Sequence, residues 1–203
     1  MPLEVRTTVN RLVSEHSHLA WSPAGGAAIL VDPGSDVARL LAGVEALGRP
    51  LEAILLTHRH HDHTAGVAAV ADATRAVVYG PWDGPGIDQV RDDQVLSLEC
   101  GPVEVIATPG HTPESVCYRG DGVLFTGDTL FVNDCGVVPD AAAALALRRS
   151  LHETLAALPG DLVIYPGHNY GGISATLEEI RQGNDAMAPR SDAEFLRWFE
   201  LES

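Results

Sequence analysis

The chain has 203 residues, with 13 basic against 28 acidic side chains and a net charge of -15. That balance argues against nucleic acid as a partner, because phosphate binding needs a basic surface. All 13 basic residues are Arg, which excludes a catalytic lysine and, with the Ala and Gly bias, suggests a GC-rich bacterial genome. No run is apolar enough to cross a bilayer, and the start lacks a basic stretch followed by an apolar one. Three cysteines, Cys100, Cys117 and Cys135, without close pairing, point to a reducing cytoplasm rather than a disulfide scaffold. The length suits one domain over 1–203 with a full core.

Residues 3–9 and roughly 17–31 read as strands, with Pro23-Ala24-Gly25-Gly26 as the turn. Ser35 or Asp36 can cap a helix whose apolar positions Val37, Leu40, Leu41, Val44 and Leu47 fall at helical spacing, ended by Gly48 and Pro50. Residues 53–56 form an apolar strand, and residues 57–63 directly after it read Thr-His-Arg-His-His-Asp-His. In extended backbone, residues i and i+2 face the same side, so His58 and His60 can bind one cation together. A turn into a helix, expected over 65–72, aims Asp62 and His63 at a neighbouring point. Imidazoles with carboxylates suit zinc, iron or manganese and suit calcium or magnesium poorly. Taken alone, the heptad is also readable as a His-rich tract that binds metal adventitiously.

Strands are expected near 76–79, 94–98, 103–108, 115–119 and 122–126. Strand 103–108 runs into Pro109-Gly110 and presents His111, whereas strand 122–126 runs into Gly127 and presents Asp128. A further apolar run, 161–165, meets Pro166-Gly167 and presents His168. Short strands that end in a turn offering one ligand are how a sheet edge builds a site. Asp140 caps a helix with Leu147, Leu151, Leu155 and Leu158 on one stripe, halted by Pro159-Gly160. Residues 176–182 read as a helix stopped by Gly183-Asn184. Ser191-x-x-Glu194 is a capping-box pattern that opens a short helix around 191–201 bearing Phe195, Leu196, Trp198, Phe199 and Leu201. This helix docks on the core in one reading; in the other it is an apolar wall beside a substrate cleft, or the contact of a homodimer. Two runs of strands, each followed by helices, fit a mixed α/β (α+β) class with four layers, αββα.

The set His58-x-His60-x-Asp62-His63, followed by His111, Asp128 and His168, resembles the metal-binding motifs of the metallo-β-lactamase fold superfamily over about residues 20–185. Val31-Asp32-Pro33-Gly34 matches its first motif, whose acidic residue supports the metal shell. The glyoxalase II-like branch is the most similar. That likeness is carried by Thr108-Pro109-Gly110-His111-Thr112, Thr126-Gly127-Asp128-Thr129-Leu130-Phe131, Cys135-Gly136 and Pro166-Gly167-His168-Asn169-Tyr170. The resemblance implies two divalent ions, zinc first and iron or manganese as the other candidates. One is held by His58, His60 and His111, the second by Asp62, His63 and His168, with Asp128 bridging and Asp32 behind them. His61 has no ligand role. His16, His18 and His152 are read as ordinary polar side chains, although His16 and His18 can approach the site from the N-terminal strand. Cys135 is read as a packing residue.

The activity implied is hydrolysis of a thioester or a related ester or lactone by hydroxide available at neutral pH, with Asp62 and Asp128 as catalytic carboxylates. A thiolate leaving group, with a pKa near about 8.5, departs without a general acid. Val137-Val138-Pro139 stands where the branch carries a basic residue and an aromatic that hold glutathione, and its longer helical C-terminal region has no counterpart in these residues. Tyr170 remains as the one glutathione-contacting position. A CoA or carrier-protein thioester, or a small lactone or ester, is therefore as fair an expectation as a glutathione thioester. Persulfide dioxygenases resemble the same branch and would hold a single iron through His58, His111 and Asp128. A non-catalytic metal-binding module is the third class, and the intact ligand set weighs against it.

Overall fold

The computed structural model describes residues 1–10 and 14–200. Strands β1 (Glu4–Val9), β2 (His16–Trp21), β3 (Ala28–Val31), β4 (Leu51–Leu55), β5 (Val77–Gly80) and β6 (Asp88–Gln89) lie side by side in chain order in the first sheet. The first three pair antiparallel, and β3 to β6 pair in parallel. A parallel step needs a crossover. Helix α1 (Val37–Leu47) supplies it between β3 and β4, and the pair α2 (His61–Thr64) and α3 (Val67–Thr74) between β4 and β5. The second sheet is built from β7 (Val95–Leu98), β8 (Gly101–Ala107), β9 (Val116–Gly120), β10 (Val123–Gly127), β11 (Val163–Pro166) and β12 (Ala175–Thr176). Within it only β10 and β11 run parallel. Helix α4 (Ala141–Arg149) lies in that crossover.

Three buried apolar clusters separate the four layers. Leu40 and Val70 from α1 and α3 pack on Leu19, Leu30 and Ile54 of the first sheet. Ile29, Val31 and Leu55, which alternate with those residues along β3 and β4, meet Val103, Val105, Tyr118 and Phe125 between the two sheets. Both faces of these strands are covered, which is why they read as unbroken apolar runs. On the far side of the second sheet, Leu124 and Ile164 pack with Leu147 and Leu151, and with Leu177 and Ile180 of α5 (Leu177–Gly183).

Most expected elements are present within a residue or two. Asp36 caps α1 by accepting from the Arg39 backbone N–H, and Gly48 closes it in the left-handed region at φ 69°. The helix expected over 65–72 is in fact two, because Gly66 is pressed against the first-sheet loop. Its N–H donates to the Pro33 carbonyl (2.9 Å), and a Cβ there would overlap the Gly34 carbonyl. The helix begun by Asp140 is α-helical only to Arg149; a π turn over Ser150–Thr154 and a 3-10 turn over Leu155–Ala157 follow, and Leu147, Leu151 and Leu155 stay fully buried. The sequence showed no sign of β6, whose two residues are exposed and polar.

The capping box at Ser191 and Glu194 is formed and opens α6 (Asp192–Trp198). Phe195 is fully buried, Trp198 and Phe199 are partly buried on the outer cluster, and Arg148 Nε pairs with Asp192 at 2.6 Å. This is the docking reading; Leu201 lies outside the described residues. Truncation before Ser191 should therefore lower stability by about 3–5 kcal/mol, the scale of losing one buried Phe, and leave KM unchanged. Denaturant unfolding beside steady-state kinetics checks this, and a raised KM at intact stability would restore the cleft-wall reading. No helix among the described residues is long and apolar enough to cross a membrane.

Candidate metal centre

Four strands deliver the donors from their carboxyl ends. β4 leads through Leu56 and Thr57 to His58, and His60 then caps α2, whose first turn carries Asp62 and His63. β8, β10 and β11 lead to His111, Asp128 and His168. The expected donors therefore come together. His58, His60, His111 and Asp128 bring one ligand atom each within 4.8 Å of one another, as do Asp62, His63 and His168. Asp128 stands between the groups. Its Oδ2 lies 3.9 Å from His58 Nε2, 3.5 Å from His111 Nε2 and 3.5 Å from His168 Nε2, and its Oδ1 lies 3.3 Å from His63 Nε2. Asp62 Oδ2 is 3.3 Å from His168 Nε2, and His60 Nδ1 is 3.0 Å from His111 Nε2. His61 is exposed and outside both groups.

Outer partners decide which nitrogen faces inward in His58, His63 and His111. His63 Nδ1–H donates to Asp32 Oδ2 (3.2 Å) and His111 Nδ1–H to the Val137 carbonyl (2.8 Å). Thr57 spends its hydroxyl proton on Asp32 (2.6 Å), so it accepts from His58 Nδ1–H (3.0 Å). Asp32 also accepts the Thr57 backbone N–H at 2.8 Å. It thus orients His63 directly and His58 through Thr57. Thr57 itself was missed by the sequence reading; its only local signal is its position between the strand and the first His.

This inward geometry fits a pair of cations. The Nε2 atoms of His58, His63 and His111 all turn lone pairs toward a buried carboxylate. His58 Nε2 and Asp128 Oδ1 find no hydrogen-bond partner among the described residues. Burial pushes His58 down to about 3, so it stays neutral and keeps its lone pair. Burial would raise Asp128, but His63, His58 and His168 hold it well below the usual carboxylate range. Burial also opposes charge on His63, and Asp128 and Asp32 outweigh it, raising His63 well above an ordinary imidazole. Two carboxylates about one buried imidazole mark a centre that favours positive charge, which a bound cation would supply. Glycine at 167 keeps the space open, since a Cβ there would overlap Asp128 Oδ1 and sit 2.7 Å from His63 Cε1.

A cavity of about 160 Å³ opens beside His111, Asp128 and His168, walled by Phe131, Val137 and Tyr170. Tyr170 is 54% exposed and stacks on Phe131 (4.9 Å between centroids), whose ring edge meets His168 at 6.0 Å. Phe131 had no role in the sequence reading. Cys135 is a buried free thiol that burial pushes far up, consistent with packing. His152 is structural: its Nε2 bonds the Ala186 carbonyl (2.8 Å) and its ring meets Phe195 edge-on. His16 and His18, by contrast, are fully buried beside the His168 turn.

Residues 12–87 and 81–168 match the metallo-beta-lactamase superfamily. The chain belongs to that superfamily. A hydroxyacylglutathione hydrolase of Tolumonas auensis is 37% identical over 175 residues, covering 83% of this chain and 66% of that protein. Across the first five relatives of that name the chain spans 59% to 66% of their length. Among solved structures, ETHE1 from Myxococcus xanthus superposes with a TM-score of 0.87 at 31% identity, over 97% of this chain and 90% of that one. TTHA1623 in a di-iron-bound form superposes with a TM-score of 0.71 at 26% identity, over 89% of this chain and 99% of that one. As a member of the metallo-beta-lactamase superfamily, the chain shows the mixed α/β fold with two mixed sheets that its sequence led us to expect.

Proposed function

We propose that this chain is a metal-dependent hydrolase of a small thioester. The observation that carries the reading is the pair of donor groups meeting on one buried carboxylate, Asp128, and the name shared by the hydroxyacylglutathione hydrolases supports the reaction class. In this reading His58, His60 and His111 hold one divalent ion, Asp62, His63 and His168 hold the other, and Asp128 contacts both. When bound, two such ions supply hydroxide at neutral pH and polarise a carbonyl. The residues do the rest. Asp32 and Thr57 hold the His63 and His58 imidazoles in one tautomer, and Asp62, half-buried at the edge of the centre, would add its negative charge to the second ion's donors. Phe131 and Tyr170 form an apolar shelf against which the acyl group lies.

Whole drug-sized ligands fill about 300–1,000 Å³, so a cavity of about 160 Å³ seats a small acyl group and leaves its thiol carrier outside. No Arg side chain among the described residues lines it, so we put CoA or another thiol carrier beside glutathione for the part that lies outside. We take residues 1–203 as one domain working in the cytoplasm, in keeping with its three free buried thiols; nothing in the docked α6 supports a homodimer contact there.

A second reading has its own observation. Within the first donor group, His58, His111 and Asp128 form a convergent set of their own, with His111 Nε2 and His58 Nε2 at 3.5 and 3.9 Å from Asp128 Oδ2. Two imidazoles and a carboxylate are the donor set of mononuclear iron oxygenases, as a persulfide dioxygenase requires. Metal content of protein purified without chelator or affinity nickel separates the two. Two ions per chain with turnover of hydroxyacyl-glutathione or hydroxyacyl-CoA is the expected result. One iron per chain, with oxygen uptake on a glutathione persulfide and no thioester turnover, would overturn it.

A further inference from the structure

We propose that His16 and His18 are positioning residues that clamp the Pro166 carbonyl and thereby set His168 in the metal centre; this rests on the two-ion reading above. The two histidines sit at i and i+2 of β2 and turn to the same side. Both are buried, at 0% and 2% exposure. His16 donates from Nδ1 and His18 from Nε2, each 3.0 Å from the oxygen of Pro166. Two donors fill both lone pairs of one carbonyl. The tautomers are opposite and each has a cause. Thr7 Oγ1 lies 3.0 Å from His18 Nδ1 and donates to it, which leaves the proton on Nε2. Burial drives the pKa of both rings down, so each holds a single proton for this bond.

Pro166 ends β11 and is two residues from His168. The same turn is tied to the N-terminal segment by backbone bonds: His16 N–H to the Gly167 carbonyl (2.7 Å) and Asn169 N–H to the Ser14 carbonyl (3.2 Å). β2 lies in the first sheet and β11 in the second, so the clamp locks a ligand of one sheet to the frame of the other. Packing alone does not explain these rings. His18 lies between Phe125 and Tyr165, with centroids 5.7 and 5.5 Å away, a place that suits a phenylalanine. His16 Nε2 is buried with no partner among the described residues, a cost that an apolar ring avoids.

The test uses the full chain titrated with Zn²⁺ against a competing chelator. His16→Phe and His18→Phe should each weaken one of the two metal equivalents by about 10–100-fold, the usual effect of losing an outer partner of a ligand, and leave the other unchanged. The isosteres discriminate. Asn places its amide nitrogen where His Nδ1 was and Gln where His Nε2 was, so His16→Asn and His18→Gln should recover most of the affinity, whereas His16→Gln should not. In metal-free protein, the Asn169 amide should exchange hydrogen faster in the Phe variants than in wild type. Phe variants that keep both metal affinities and wild-type Asn169 exchange, and only melt lower, would make these ordinary core residues and overturn the clamp. Wild type that takes up one equivalent would overturn the two-ion reading instead, and Asn169 exchange would still decide the clamp.

Discussion

Asp128→Asn is expected to lower kcat/KM for thioester hydrolysis by at least about 10³-fold, equivalent to about 4 kcal/mol of transition-state stabilisation, and to leave the chain with fewer than two bound ions. The substitution barely changes shape. It replaces one oxygen with a donor that cannot ligate, and it removes the negative charge that His58, His63, His111 and His168 all share. Two divalent ions then sit among neutral imidazoles and Asp62 with one anion fewer, in a place where water screens little. Metal content per chain and steady-state kinetics on the same preparation check the outcome. Full activity with two ions would remove Asp128 from the centre.

Asp32→Ala is expected to cost about 3–5 kcal/mol of stability and to weaken metal binding about 10–100-fold, although Asp32 touches neither a substrate cavity nor the inward nitrogens. Its carboxylate accepts from the Thr57 backbone N–H, the Thr57 hydroxyl and His63 Nδ1. Each buried donor left without a partner costs about 1–3 kcal/mol. Asp32 also holds a left-handed backbone at φ 47°, which Asp tolerates better than Ala. The loss of orientation reaches His58 through Thr57, so both donor groups should weaken. Denaturant unfolding of the metal-free protein gives the stability term and chelator competition the affinity term. A variant with wild-type values for both would show that the ligand rings are held by packing alone.

The candidate ligands were legible in the sequence because His58, His111, Asp128 and His168 closely follow strands, and Asp62 and His63 follow the turn into a helix. Pro-Gly before His111 and His168, Gly before Asp128, and the two-residue spacing of His58 and His60 are local patterns. The layers were legible because the strands come in two runs, each followed by helices. Other features hid because their cause is distant. Nothing near Gly66 reveals that the Pro33 and Gly34 carbonyls press on it and split a helix. Nothing near His152 reveals that its ring donates a hydrogen bond to the Ala186 carbonyl, while His16, of the same residue type, lies beside the candidate ligands.

By itself, then, the sequence determined the donor types, their order along the chain and their delivery from strand ends, because backbone period and turn chemistry act over a few residues. Only the tertiary structure decided which nitrogen of His58, His63 and His111 faces inward, that Asp32 and Thr57 hold two of those rings, that the aromatic helix docks on the outer cluster, and that His16 and His18 meet at Pro166. Those facts depend on contacts such as His63 with His168, 105 residues apart, and His16 with Pro166, 150 apart. Such contacts exist only once the two sheets have packed, and no local pattern carries them.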